Sequence, residues 1–386
     1  MISVDEARLR MTEALTPLPA EQVSIWAVQP GRVLAQDVVA RRDQPPCDVS
    51  AMDGWAVRRG DLPGALAIAG ESAAGAPYPG TVESGQAVRI FTGAHVPQGA
   101  DTVVIEESAR ADGGVVRIDE PPKPGANIRA RGSDFGAGEV LLRAGQPVTA
   151  WSIALAASAG VGELSLSRSP RVALLACGDE LVAAGEPAGP HQIHDSITPA
   201  LAMKVRGWGG QATGALVGDS IEAIGAHIAA CEADLIVTVG GASVGDRDLA
   251  KAALGAELLV NKVAIRPGKP VFFGKLPDGR PVLGLPGNPA SAMVCAELFL
   301  WPVLRAMQGG NPHRPLESLP LTAPLAANGL REHWMRARIE AGGVCAFPDQ
   351  DSSLVSVLAK SNALIRRLVD APAAGVAEAV DMLRLE

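Results

Sequence analysis

Hydrophobic and polar positions change period along the chain, and these changes divide it. Ser3-x-x-Glu6 opens an amphipathic run through Leu15, the pattern of a capped helix. Residues 23–28 alternate as a strand does, and Pro30-Gly31 turns the chain. From 44 to 148, Gly and Pro recur between short β-branched runs at 87–91, 102–105 and 115–118, which predicts a β-rich domain. Residues 121–138 read as a loop returning to the first part, and 149–160 as an Ala-rich helix.

From 171 the period changes again. Residues 171–177 form a continuous apolar strand of the kind covered on both faces. Helices at 196–208, 220–232 and 248–254 then alternate with strands at 212–217 and 235–239, followed by strands at 258–265, 270–274 and 281–285 and a last helix at 289–307. This alternation predicts an open, mostly parallel sheet with helices on both faces. Residues 314–386 return to short strands and turns. The fold class is therefore multidomain α/β: a central three-layer α/β domain, a β-rich domain and a small C-terminal β domain.

Composition narrows the classes. In 386 residues there are 43 Gly and 30 Pro but only six Trp, six Phe and one Tyr. Helical bundles are excluded, because an interior Gly or Pro costs about 1 or 3 kcal/mol. The scarcity of aromatics argues against a surface that stacks nucleobases. The formal charge is −8 with no long basic run, a poor match for duplex nucleic acid. Residues 144–162 lack charge but are broken by Gln146, Pro147, Thr149 and Ser152, so they read as a buried helix and no membrane span is expected. The N-terminus has no apolar signal region. The five cysteines are scattered and never CxxC, which points to a reducing cytoplasm.

In an open α/β sheet, ligands bind at the carboxyl ends of strands. Three loops leave such ends: Cys177-Gly178-Asp179-Glu180, the Gly240 to Asp248 stretch, and Gly284-Leu285-Pro286-Gly287-Asn288-Pro289. The second holds Gly240, Gly241, Ser243 and Gly245 ahead of a helix, a means of aiming amides at an anion. It is neither a Walker A sequence nor GxGxxG. The third has Pro289 at a first helical turn with Asn288 before it, which also reads as a plain strand-to-helix turn. Asp179, Glu180, Asp246 and Asp248 suit either Mg²⁺ or simple capping. Arg266-Pro267-Gly268-Lys269-Pro270 sets two cations on a stiff turn, able to clamp an oxyanion. His191-x-x-His194 has no third ligand at metal spacing, and no nucleophile triad stands out.

Taken in order, the motifs resemble one family. They are residues 45–57 (with Ser50-Ala51-Met52-Asp53-Gly54), 89–94, 99–104, 128–134, 178–181, the Gly240 loop, 266–270 and 285–292. The chain resembles the bacterial molybdopterin molybdenumtransferases, relatives of the gephyrin C-terminal domain, over nearly its whole length. The resemblance implies the last step of molybdenum-cofactor synthesis. Adenylylated molybdopterin and molybdate bind, the phosphoanhydride is cleaved with Mg²⁺, AMP leaves, and the dithiolene takes molybdenum. It also implies an elongated cytoplasmic homodimer whose central domain is like that of molybdopterin adenylyltransferase. That enzyme and recipient molybdoenzymes are the implied partners. Domains of 1–43 with 131–168, 44–130, 169–313 and 314–386 follow.

The resemblance assigns catalytic roles to Asp53, Thr92, Asp134, Glu180 and Asp248, with Glu180, Asp219 and Asp248 as metal ligands. Cofactor binding falls on Gly240, Gly241, Ser243, Gly245, Pro286, Gly287, Asn288 and Pro289; molybdate binding falls on Arg266, Lys269, Pro270, Arg336 and Ser352. Departures from the usual pattern are Val49, Trp55, Cys177, Ala242, Arg266 and Asp351. Asp351 places a carboxylate beside a dianion pocket, and with Val49 it would suit a non-catalytic, cofactor-binding scaffold, the rival reading together with an adenylyltransferase.

Overall fold

The computed structural model describes residues 1–240 and 255–385. The chain divides into two compact units. One comprises 1–36, 144–149 and 164–386; the other comprises 37–143 and 150–163.

The larger unit is built on the central sheet. Its strands run in the order Gln211–Val217, Arg171–Cys177, Leu235–Val239, Pro281–Leu285, Phe272–Lys275, Glu257–Val260. The first four are parallel and the last two antiparallel to their neighbours. The helices predicted at 196–208 and 220–232 form, at Thr198–Gly207 and Ile221–Ala230. Asp195 accepts the amides of Ile197 and Thr198 and so starts Thr198–Gly207. Ser220 accepts the Ala223 amide and caps Ile221–Ala230. Val172, Leu174, Val237 and Leu283 join one core with Leu201, Leu298 and Leu304. The opposite face packs Ala173, Leu175 and Ile236 on Ile224 and Ile228.

Three expectations change. Residues 258–265 are not one strand: Glu257–Val260 belongs to the central sheet, while Ile265–Arg266 pairs with Glu332–Glu340 of the C-terminal sheet. The last helix is interrupted by a π-helical turn at Ala296–Leu300 between Pro289–Cys295 and Trp301–Met307. By length and composition Pro289–Met307 could cross a bilayer, but 78% of it is buried inside the protein, so it is a core helix. Residues 23–28 do not continue as a strand. Ala20–Ser24 ends where the Ser24 hydroxyl accepts the Trp26 amide and starts a short 3₁₀ turn. The predicted helix at 248–254 lies outside the described residues.

The C-terminal sheet orders Ile265–Arg266, Glu332–Glu340, Ala363–Arg367, Ala379–Arg384 and Glu317–Pro320, with Gly343–Ala346 on the second of these. The smaller unit holds a six-stranded sheet in the order Thr102–Ile105, Gly54–Val57, Gln86–Ile90, Gly64–Ser72, Val115–Ile118, Arg110–Asp112. Its two faces bury Trp55, Leu66 and Val104 on one side and Val88, Ile90 and Val103 on the other.

Candidate functional site

A cavity of about 710 Å³ opens at the carboxyl ends of Arg171–Cys177, Leu235–Val239 and Pro281–Leu285. Its wall includes Glu180, Asp219, Gly240, Pro270 and residues 286–289. Backbone turns bring these together. Gly240 has φ +84°, and a Cβ there would stand 2.6 Å from the Cys177 carbonyl oxygen. A Cβ on Gly287 would lie 3.3 Å from the Gly240 Cα. The two turns therefore meet glycine against glycine, and main chain rather than side chain forms that part of the wall. Pro289 occupies the first turn of its helix, as the sequence suggests.

The carboxylates have distinct placements. Glu180 folds back over Gly178, where a Cβ would stand 2.7 Å from Glu180 Oε2. Asp179 does not line the cavity; its Oδ1 accepts the Asp219 amide at 3.0 Å and so fixes the loop that carries Asp219. Glu180 and Asp219 thus share one cavity as a pair of oxygen donors. Two carboxylates completed by substrate phosphate suit Mg²⁺. Among the described residues there is no cluster of three or more His, Cys, Asp or Glu able to hold a metal ion. Asp248, with Gly241, Ser243, Gly245 and Asp246, lies outside the described residues. Cys177 lines the cavity, and burial, with Asp219 adding to it, pushes its thiol up to about 11. It is a neutral wall group.

The predicted oxyanion residues separate. Pro270 lines the main cavity, whereas Arg266 lines a second one of about 470 Å³ with His333, Asp349, Asp351 and Arg367. Lys269 is half-buried. Arg336 is 1% exposed, and its guanidinium donates to the carbonyls of Asp351 at 2.9 Å and Leu354 at 3.3 Å. In this arrangement it holds the 351–354 loop. Ser352 Oγ accepts Asn288 Nδ2 at 2.8 Å, and its carbonyl accepts the Ala290 amide at 2.9 Å. It is Ser353 that lines the main cavity. The Asp351 carboxylate accepts the Ser353 hydroxyl at 2.6 Å and amide at 2.8 Å. These bonds, with Arg336 nearby, hold it below the ordinary carboxylate range.

In the smaller unit, Asp53 and Thr92 meet directly. The carboxylate accepts both the amide and the hydroxyl of Thr92 at 2.7 Å. Beside them, Arg89 pairs with Glu106 at 2.6 Å and lies over Trp55 and Phe91. Asp134 lines a separate cavity of about 500 Å³ with Cys47, Val49, Gly93, His95 and Arg129.

Asp195 and Ser353 also line the main cavity, and sequence reasoning missed them as site residues; His194, set aside above for want of a third metal ligand, lines it too. Only the Asp195 position, three residues before a helical run, carried a usable signal.

Family models match the chain in three consecutive blocks. The MoeA N-terminal region (domains I and II) covers residues 2–160, a probable molybdopterin binding domain covers 173–306, and the MoeA C-terminal region (domain IV) covers 318–384. The molybdopterin molybdenumtransferase of Haemophilus influenzae is 36% identical, over 95% of this chain and 94% of its own. Molybdopterin molybdenumtransferase 2 of Mycobacterium tuberculosis is 37% identical, over 95% of both chains. Among solved structures, the molybdopterin biosynthesis moeA protein of Pyrococcus horikoshii superposes with a TM-score of 0.86 at 25% identity, over 99% of each chain.

Proposed function

The chain belongs to the molybdopterin molybdenumtransferase family, and from that premise we propose how its residues serve the reaction. The chain is a transferase that inserts molybdenum from molybdate into molybdopterin, the last step of molybdenum-cofactor synthesis. In this reading the pterin substrate arrives adenylylated; water attacks the adenylyl phosphorus as its P–O bond to the pterin phosphate breaks, AMP leaves carrying the water oxygen, and the two dithiolene sulfurs bind molybdenum as one molybdate oxygen leaves as water with the two thiol protons.

One observation carries the placement: Glu180, Asp219, Gly240 and the 286–289 turn line a single cavity of about 710 Å³ at the carboxyl edge of the parallel strands. That volume lies in the range of sites for extended organic ligands. The bare backbone at Gly240 and Gly287 lets a phosphate approach closely, and the start of the helix at Pro289 favours its charge. Glu180 and Asp219 would hold Mg²⁺. Bound there, the ion would neutralise charge that builds on the bridging phosphate oxygen. Arg266 and Lys269 attract the molybdate dianion, Arg336 keeps the loop of Ser352 and Ser353 in place, and the Asn288–Ser352 bond joins that loop to the phosphate turn. Asp53, Thr92 and Asp134 keep the catalytic roles the family motif implies. Gly241, Ser243, Gly245 and Asp248 keep the roles the family motif implies.

A homodimer, transfer from a molybdopterin adenylyltransferase and delivery to molybdoenzymes belong to the same reading. Five free cysteines suit a cytoplasmic setting.

The test uses purified protein, adenylylated molybdopterin, Mg²⁺ and molybdate, with AMP release followed. Molybdate-stimulated release in wild type and its loss in Glu180→Gln is the expected result. Binding without turnover would mean a scaffold, and ATP-dependent adenylylation of molybdopterin would mean the preceding enzyme.

A further inference from the structure

The N-terminal helix Val4–Glu13 brings Arg8 into a cluster of cations away from the cavities described above. Arg8, Arg314 and Arg366 line a cavity of about 180 Å³ with Glu297, Trp301 and His313. The charges in it do not balance. Arg366 donates to Asp5 at 2.8 Å and to Glu332 at 2.7 Å. Arg314 donates to Glu297 at 2.6 Å, and Glu297 also pairs with Lys204 at 2.8 Å. Four cations, Arg8, Lys204, Arg314 and Arg366, thus share three carboxylates, Asp5, Glu297 and Glu332, and Arg8 has only a share of Asp5. Its Nε donates to the Leu298 carbonyl at 2.9 Å, and Asp5, already serving Arg366, stands 3.5 Å from its Nη1.

The guanidiniums are held in place. Arg8 and Arg366 each lie 5.6 Å from the centroid of the buried Trp334 ring, and Arg314 lies 4.1 Å from that of Trp301. Side chains already stacked lose little more freedom when a ligand arrives. Burial pushes the Arg8 guanidinium below its usual range; Asp5 and then Glu332 oppose this, and Arg366 and Arg314 add smaller contributions to the lowering. Burial leaves it less water than an exposed guanidinium has, and it shares its carboxylate with Arg366.

We propose that this cavity binds a small tetrahedral oxyanion of the phosphate class, with Arg8 as its main ligand and Arg314 and Arg366 flanking it. Guanidinium forks match two oxygens of such an ion. The size of the cavity excludes a nucleotide. Glu297 is neutralised by two cations, and Asp5 lies at the rim with its side chain 64% exposed. The bound ion would tie the N-terminal helix to the C-terminal sheet through Arg8 and Arg366. This inference does not rest on the reaction proposed above.

The experiment is a thermal unfolding titration with inorganic phosphate against chloride at matched ionic strength. Wild type is expected to gain about 2 °C or more, saturably. Lys269→Ala, altered at the reaction site, should keep the gain. Arg8→Met should lose it while releasing AMP at the wild-type rate. A rise that never saturates, one that survives Arg8→Met, or one abolished by Lys269→Ala overturns the proposal. If Arg8→Met does not fold, wild-type crystals soaked in selenate decide. An anomalous peak beside the Arg8 Nη atoms supports the site, and no peak there at saturating selenate overturns it.

Discussion

The Asp53 carboxylate accepts two hydrogen bonds from one residue, the amide and the hydroxyl of Thr92, each 2.7 Å long. Both bonds favour the charged form. Asp53 is held below the ordinary carboxylate range by the Thr92 amide first, then the hydroxyl, with Arg89 adding to them. An anion with a fixed direction is what a charge-handling role needs. Asp53→Asn should therefore lower AMP release by roughly 10²-fold or more. Its melting temperature should stay near that of wild type, because the carboxylate is on the surface. Thr92→Val keeps the amide and should lose less. Full turnover in Asp53→Asn would remove Asp53 from the site.

Gly240 and Gly287 face each other across the main cavity wall. Gly240→Ala meets a left-handed backbone and the Cys177 carbonyl at 2.6 Å, and should cost about 2 kcal/mol. Gly225→Ala is the contrast. It lies inside the helix Ile221–Ala230 with nothing within 4 Å of a new Cβ, and should stabilise by about 0.5–1 kcal/mol. Urea denaturation measures both, and equal effects would contradict the geometry.

Asp234 joins the start of the strand Arg171–Cys177 to the segment before it. Burial opposes its ionisation, but hydrogen bonds from Arg168 and Arg171 prevail and hold it at about 2. The folded value lies below the reference of 3.8, so its contribution is present above that pH and lost as pH falls toward 2. Asp234→Asn should lose about 1–2 kcal/mol at pH 7 and little at pH 2. A loss independent of pH would point to packing instead.

His333 behaves in the opposite chemical sense with the same sign in pH. Burial first, then Arg266, Arg336 and Arg331, lower it from 6.5 to about 4. The unfolded chain binds a proton that the folded chain refuses between these values. Stability is whole above pH 6.5 and declines as pH falls to about 4. His333→Gln should remove about 2 kcal/mol of the difference between pH 7.5 and pH 4.5. An unchanged pH profile in the variant would show that another group titrates.

Asn288→Ala breaks the bond to Ser352 Oγ but leaves the Ala290 amide on the Ser352 carbonyl. The expected result is a several-fold rise in the molybdate concentration needed for half-maximal AMP release, with kcat falling less. A proportional fall in kcat alone would place Asn288 elsewhere in the reaction.

Local chemistry determined what the sequence alone could deliver. The apolar run at 171–177, the capped helices after Asp195 and Ser220, and the glycine-rich strand ends at Cys177, Val239 and Leu285 are decided by neighbours a few residues apart. Period and capping report such neighbours directly. The order of the motifs added the family. Tertiary structure decided what depends on distant pairing. It split residues 258–265 between two sheets, because Ile265–Arg266 pairs with Glu332–Glu340 rather than with Phe272–Lys275. It turned Asp179 onto the Asp219 amide, 40 residues away, and left Glu180 and Asp219 to share the cavity. It sent Arg266 and Pro270, four positions apart on one turn, to different cavities, and it spent the Arg336 guanidinium on loop carbonyls. A single sequence lists charges and turns in order. Which of them face one another is set by long-range strand pairing and burial, and only the folded chain supplies these.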